Sequence, residues 1–151
     1  MLSKLLIGFF LMALCVTIHA TGLTSAFRWM HARLARGTGQ VWHATWMLVR
    51  IAAWTLLLHV IEIFVWALFY VWCGAMPDLA TSAYFSAITY TTTGYGDLVL
   101  AEEWRLFGGV EALTGILMCG LSTGLFFAVF TDIFGLNRGS PGGSNDPDRS
   151  L

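Results

Sequence analysis

The fold is decided by one stretch of the sequence, Thr91-Thr92-Thr93-Gly94-Tyr95-Gly96-Asp97, called the heptapeptide below. Its two glycines stand one residue apart, and glycine adopts a positive φ without a Cβ clash. The preceding segment, Leu79 to Thr91, begins after Pro77-Asp78, a helix-start signal with Asp78 as the cap. As a helix it would be roughly 20 Å long, too short to cross about 30 Å of hydrocarbon. The pattern predicts a short re-entrant helix followed by irregular backbone, which is tolerated at membrane depth only inside protein or beside water.

The composition indicates an all-α membrane protein. Hydrophobic residues make up 57% of the 151 residues and charged residues 11%, against a usual charged share of about 25%. A formal net charge of −1 gives no case for nucleic-acid binding. The three cysteines are odd in number and lack a metal-ligand spacing, which argues against a disulfide framework or a zinc site.

Three apolar runs between the charged residues are long enough to span a membrane. The first lies between Lys4 and Arg28, the second covers roughly Thr45 to Cys73, and the third follows Arg105 and reaches Phe134. A spanning helix needs about 20 residues, and each run supplies them. The sequence therefore predicts three spanning helices, with the re-entrant segment between the second and third.

The charges also predict the orientation. The connector between the first two spans is basic and should be cytoplasmic; its positive residues are Arg28, Arg33, Arg36 and Arg50. The connectors around the heptapeptide are acidic and belong outside, so Met1 lies outside and the tail inside. One alternative is that Lys4, the apolar stretch and the small residues near Ala20 form a cleavable signal peptide. Cleavage would leave the basic connector outside unless the second span inserted in reverse.

The heptapeptide resembles the selectivity filter of potassium channels. The resemblance covers roughly residues 45–134 and implies their pore fold, in which an outer helix, a short pore helix and the filter are followed by an inner helix. Together with the apolar runs, the charges and the Gly- and Ser-rich tail, it divides the chain into four parts: an N-terminal transmembrane helix (1–27), an Arg-rich cytoplasmic connector (28–44), the pore domain (45–134) and a disordered cytoplasmic tail (135–151). The sequence therefore predicts that the chain is a multi-pass protein of the plasma or inner cell membrane.

By this resemblance, backbone oxygens of the heptapeptide replace the water shell of a dehydrated potassium ion, together with the Thr92 hydroxyl. The potassium-binding residues would be Thr92, Thr93, Gly94, Tyr95 and Gly96. A filter needs four copies around an axis, so the resemblance implies a homotetramer. Potassium is the only metal expected, no cofactor is expected, and no catalytic motif is visible.

Two positions depart from the family pattern. Thr93 stands where the family usually has Val or Ile, so its hydroxyl would pack behind the filter. Ile88 occupies a position where some members carry a glutamate that pairs with the filter aspartate. Tyr84 is the expected partner of Asp97 instead. The residues expected to support the filter are Asp97, Tyr84, Phe85 and Thr91.

Three glycines in the third span, Gly115, Gly120 and Gly124, have two possible roles. By resemblance Gly115 stands at a gating hinge, which would place on the pore side Ile116, Cys119, Thr123 and Phe127. The alternative is close helix packing, because Gly120 and Gly124 form a small-xxx-small pair.

Ionisable residues inside spans are functional candidates by default. His59 and Glu62 share one helical face, and Glu111 lies in the third span. We expect a buried hydrogen-bonded network behind the pore helix; the alternative is proton sensing through His59.

The sequence therefore predicts a tetrameric potassium-selective channel. The alternatives are a cation channel that also passes sodium, and a non-conducting subunit that modifies another channel. No span carries arginine at every third position, which argues against a voltage-sensing helix. Anionic lipid is an expected partner of the basic connector at Arg28, Arg33 and Arg36.

Overall fold

A computed structural model describes residues 2–34 and 41–133, which contain four helices. They are α1 (Leu2–Leu34), α2 (Val41–Trp72), α3 (Leu79–Tyr90) and α4 (Arg105–Ile133). Three are long and apolar enough to cross a membrane, over Leu2–Ala32, Thr45–Trp72 and Arg105–Asp132. The predicted three spans and the short helix before the heptapeptide are confirmed.

The ends of the first two helices differ from the prediction. α1 continues beyond residue 27 to Leu34, and α2 begins at Val41, so both helices extend into the range predicted as the connector, 28–44. Arginine and alanine are good helix formers, and Arg33 lies within the helix that continues the first span. Arg36 and the predicted disordered tail lie outside the described residues, and the lipid contacts of the connector stay a prediction.

α1 is packed into the helical bundle. It runs beside α4 and α2, and α3 fits between α2 and α4. The larger core cluster includes Leu11 and Cys15 of α1, Trp66 and Tyr70 of α2, and Phe107 of α4. A smaller cluster joins α1, α2 and α4 at the opposite end, through Met30, Met47, Ile51 and Val129. α1 is therefore part of the same core as the other helices.

The contacts at the two ends of α1 give its direction. Lys4 Nζ donates to the backbone oxygen of Glu103 at 2.6 Å and lies 5.2 Å from the centroid of the Trp104 ring. At the other end, His31 Nε2 lies 3.6 Å from Asp132 Oδ2. α1 is therefore parallel to α4, and its start lies at the same end of the bundle as the loop between the heptapeptide and α4.

α3 is fixed at its start and along its side. The Asp78 carboxylate caps the helix and accepts from the Thr81 backbone N–H at 2.9 Å and from the Thr81 hydroxyl at 2.8 Å. The backbone hydrogen bond contributes most, and with the hydroxyl bond it holds the pKa of Asp78 below its ordinary value. Along the helix, Ser82 Oγ donates to the Ala67 carbonyl of α2 at 2.8 Å. The predicted Asp78 cap is confirmed.

Candidate functional site

The backbone of the heptapeptide alternates in handedness. Thr92, Gly94 and Gly96 have φ values of 60°, 49° and 78°. Glycine takes such values without a Cβ penalty, whereas Thr92 is β-branched and an outlier there. Sequence reasoning predicted the two glycines and missed Thr92, because its residue type gives no signal for a positive φ.

The heptapeptide is tied to the end of α3 by its own amides. The backbone N–H groups of Thr91, Thr92 and Gly94 donate to the carbonyls of residues 87, 89 and 88, at 3.2, 2.9 and 3.0 Å. The last turn of a helix leaves carbonyls without intrahelical partners, and these amides satisfy three of them. The start of the heptapeptide is thereby held at a fixed angle to α3.

Two side-chain contacts support the heptapeptide. The Tyr84 hydroxyl donates to Asp97 Oδ2 at 2.7 Å, so the predicted pair is confirmed as a contact. The Thr91 and Thr93 hydroxyls lie 3.0 Å apart, a bond that the sequence did not predict. Phe85 is buried, with its ring centroid 5.4 Å from that of Tyr70. It belongs to the core behind the heptapeptide.

All seven residues of the heptapeptide are exposed in the single chain. Tyr95 is 72% exposed. A large exposed aromatic ring within an exposed segment favours contact with another chain.

α4 presents one face to the other helices and one face outward. The buried face includes Thr114, Met118 and Ser122. The four residues predicted to line a pore are all exposed, namely Ile116, Cys119, Thr123 and Phe127. Gly115 is not on that outward face: it is buried against Tyr90, the last residue of α3.

A family model described as "Ion channel" matches residues 56–132, which are 77 of the 151 residues. The chain belongs to this ion channel family. The match contains most of α2, all of α3, the heptapeptide and nearly all of α4, whereas α1 lies before it. Searches of curated proteins and of solved structures each gave no match. The resemblance to the two-helix, pore-loop channels is confirmed, and this channel is a multi-pass membrane protein.

Behind the heptapeptide of this channel, five side chains from all four helices form a closed ring of hydrogen bonds. His19 of α1 contacts Glu62 Oε1 of α2 through Nδ1 and Ser122 Oγ of α4 through Nε2, both at 2.9 Å. His59 of α2 contacts Ser122 Oγ through Nε2 at 3.1 Å and the Tyr90 hydroxyl through Nδ1 at 3.0 Å. The Tyr90 hydroxyl closes the ring by donating to Glu62 Oε2.

A second network of the channel surrounds Glu111. The Tyr70 hydroxyl donates to Glu111 Oε2 at 2.7 Å. Ser86 Oγ contacts Glu111 Oε1, and it donates to the Ile63 carbonyl at 2.8 Å. The predicted buried network behind the short helix is confirmed as two separate networks. Nothing in the contacts tests the proton-sensing alternative for His59.

Sequence reasoning found His59 and Glu62 but missed three members of the ring, His19, Tyr90 and Ser122. His19 is 0% exposed and pairs with a residue 43 positions away. Its only signal is that it is the sole ionisable residue between Lys4 and Arg28. Tyr90 and Ser122 are ordinary residues for their helices and give no signal.

Within the described part of the chain, three residues of the ring come close enough to share a metal ion. One ligand atom each from His19, His59 and Glu62 lie within 4.8 Å of one another. The sequence could not show this, because the residues come from two helices and lack a metal-ligand spacing.

Proposed function

We propose that this ion channel is a homotetramer that selects potassium through the heptapeptide. The observation that carries the proposal is the alternation of positive φ at Thr92, Gly94 and Gly96 within Thr-Thr-Thr-Gly-Tyr-Gly-Asp. Alternation of this kind turns successive carbonyls toward one side of the strand. Rings of such carbonyls replace the hydration shell of a potassium ion.

One chain supplies one strand of such a filter, so the proposal requires four. The exposure of the heptapeptide, of Tyr95 and of the outward face of α4 supports assembly around an axis. In that assembly the carbonyls of residues 92–95 and the Thr92 hydroxyl bind ions, and Gly96 gives the strand its outer turn. The Tyr95 ring braces the filter, and Ile116, Cys119, Thr123 and Phe127 line the inner path.

The test is flux from the purified full chain in liposomes. We expect potassium and rubidium flux that exceeds sodium flux by at least tenfold, and a detergent-solubilised mass that corresponds to four chains. The matched variant is Gly96→Ala. No described atom lies within 4 Å of a Cβ at Gly96, but its φ of +78° disfavours any side chain, by about 1–2 kcal/mol.

The Gly96→Ala protein should therefore assemble and lose selective flux. A silent wild type that assembles would favour the modifier subunit. Normal selectivity in the variant would refute the filter assignment.

A second candidate is a channel that also passes sodium, and one contact favours it. The Thr93 hydroxyl bonds to Thr91, where the family's usual Val or Ile has no such group. Thr93→Val keeps the shape and removes this hydrogen bond. Under the potassium-selective proposal, Thr93→Val keeps or raises the potassium preference measured by reversal potentials in mixed potassium and sodium. Equal sodium and potassium permeability of the wild type would favour the second candidate.

A further inference from the structure

The two ring nitrogens of each histidine in the hydrogen-bonded ring have different partners. The ring consists of His19, Glu62, Tyr90, His59 and Ser122. The Nδ1 atoms of both histidines face the Glu62 and Tyr90 oxygens, whereas both Nε2 atoms meet the single hydroxyl of Ser122. Histidines that bind a metal through one ring nitrogen commonly donate the other N–H to a fixed acceptor. Ser122 Oγ is placed to accept from both.

We propose that this ring binds one divalent transition metal ion, with Zn²⁺ as the first candidate. Its ligands are Nδ1 of His19, Nδ1 of His59, a carboxylate oxygen of Glu62 and the phenol oxygen of Tyr90. Two imidazoles and two oxygens suit Zn²⁺ and its neighbours. Ca²⁺ takes six to eight oxygens, and the ring offers too few.

The ligand atoms of His19, His59 and Glu62 lie close enough to one another to share one ion. Bonds of 2.0–2.1 Å place ligand atoms about 3.3–3.4 Å apart. The observed separations bracket that value. They are 2.9 Å from His19 Nδ1 to Glu62 Oε1, 3.0 Å from His59 Nδ1 to the Tyr90 hydroxyl, and 3.9 Å from His59 Nδ1 to Glu62 Oε2. To admit the ion, the Tyr90 hydroxyl and Glu62 would move apart and His59 Nδ1 would move closer to Glu62.

The exchange of protons for the metal leaves the buried ring neutral. Without metal, five hydrogen bonds around the ring need five protons: one each from Ser122, Tyr90 and the two imidazoles, and one shared by His19 and Glu62. That ring carries no net charge. When the ion enters, the shared proton and the phenol proton leave, and His59 carries its remaining proton on Nε2. Glu62 and Tyr90 then contribute two negative charges that balance the ion.

The site would join α1 to the part of the chain that the ion channel family model matches. His19 comes from α1, His59 and Glu62 come from α2, and Tyr90 is the residue directly before the heptapeptide. The His59 side chain is 17% exposed whereas those of His19 and Glu62 are 0% exposed, so His59 is the most exposed of these three ligands. A bound ion therefore holds α1, α2 and the end of α3 together.

The test is metal binding by the full chain, and it does not depend on conduction. The protein carries a tag without histidine, is stripped with a chelator and is dialysed against Zn²⁺ or Co²⁺. We expect one ion per chain by elemental analysis. Co²⁺ should give the intense visible bands of a tetrahedral site, and the affinity should rise with pH because binding releases protons.

Variants separate this site from adventitious binding. Glu62→Gln and His19→Ala should lose the ion, and Ser122→Ala should bind it 10–100-fold more weakly. His31→Ala removes a half-exposed histidine of the same helix and should bind as wild type. Tyr90→Phe keeps three ligands and should alter the Co²⁺ spectrum. A wild type that binds neither ion, or a loss confined to His31→Ala, would overturn the proposal. If Glu62→Gln does not fold, the proposal is tested by the wild type alone. One ion per chain with a tetrahedral Co²⁺ spectrum would support it, and any other result would overturn it.

Discussion

The carbonyl oxygen of Tyr90 lies 1.9 Å from the position that a Cβ on Gly115 would occupy, and the Tyr90 carbonyl carbon lies 2.8 Å from it. Only a residue without a side chain lets α4 approach the end of α3 this closely. The contact involves backbone, which cannot rotate away as a side chain would. Gly115 therefore sets the distance between α4 and Tyr90, the residue directly before the heptapeptide.

We expect Gly115→Ala to disrupt this contact. Overpacking a tight site typically costs about 1–3 kcal/mol, and here α4 would have to move away from α3. The variant should unfold at a lower temperature in detergent than the wild type and should lose selective flux. Gly109→Ala on the same helix is the control, because no described atom lies within 4 Å of its Cβ.

The same pair of variants bears on the hinge interpretation of Gly115. A Gly115→Ala protein as stable as Gly109→Ala, but with altered opening, would contradict the packing role and favour the hinge. The close helix packing predicted for Gly120 and Gly124 finds no support within the chain. No described atom lies within 4 Å of a Cβ at either glycine.

The sequence predicted the elements well because their signals are local. Apolar runs define the spans, and the Asp78 cap and the two heptapeptide glycines are each visible within a few residues. The Gly115 contact and the ring through His19 depend on pairs of residues far apart in the chain, such as Tyr90 with Gly115. A single sequence carries no signal for which distant residues meet. The positive φ of Thr92 was also invisible, because the fold imposes it against the preference of the residue.

Tyr84→Phe should destabilise the conducting state. The variant removes the hydroxyl that donates to Asp97 Oδ2 at 2.7 Å and keeps the ring. A hydrogen bond to a charged acceptor is among the stronger ones in proteins, and here it joins α3 to the end of the heptapeptide. We expect flux in liposomes, or open probability in single-channel recordings, to fall by a factor of several without loss of assembly.

Asp97→Asn provides the comparison for Tyr84→Phe. The amide oxygen of the new asparagine still accepts, so this variant should be milder than Tyr84→Phe if the hydrogen bond matters most. If the Tyr84→Phe protein conducts as the wild type does while the Asp97→Asn protein conducts less, Asp97 acts through another partner.

Glu111 is predicted to carry a proton in the folded channel. Ser86 Oγ has one hydrogen but contacts both the Ile63 carbonyl and Glu111. If Ser86 donates to Ile63, Glu111 must donate to Ser86. Glu111→Gln mimics that state, because its amide donates to Ser86 while its oxygen accepts from Tyr70.

The measurement is the unfolding temperature in detergent. Glu111→Gln should unfold close to the wild-type temperature, whereas Glu111→Ala should unfold well below it. The alanine variant leaves a cavity and an unpaired Tyr70 hydroxyl, and an unsatisfied buried group costs about 1–3 kcal/mol. Glu102→Gln is the control for loss of a carboxylate, since Glu102 is exposed. Equal destabilisation by Gln and Ala would show that Glu111 is ionised.

The orientation of the channel is the prediction on which the position of every site depends. The charge distribution predicts that the start of α1 lies outside and its basic end inside. The contact of Lys4 with Glu103 and Trp104 agrees, because it puts the start of α1 at the heptapeptide end of the bundle. The burial of His19 between α2 and α4 argues against removal of this segment as a signal peptide.

Single cysteines at Ser3, Gly37 and Ser144 test this orientation in intact cells, in a background without the native Cys15, Cys73 and Cys119. An impermeant thiol reagent should label position 3 only, because one lysine competes with four arginines for the cytoplasmic side. Permeabilised cells should allow labelling at all three positions, which shows that each cysteine can react. Labelling at position 37 in intact cells would mean that α1 inserts the other way. A mature chain that begins near Thr21 would mean that the first segment is cleaved, and the ring would then lose His19.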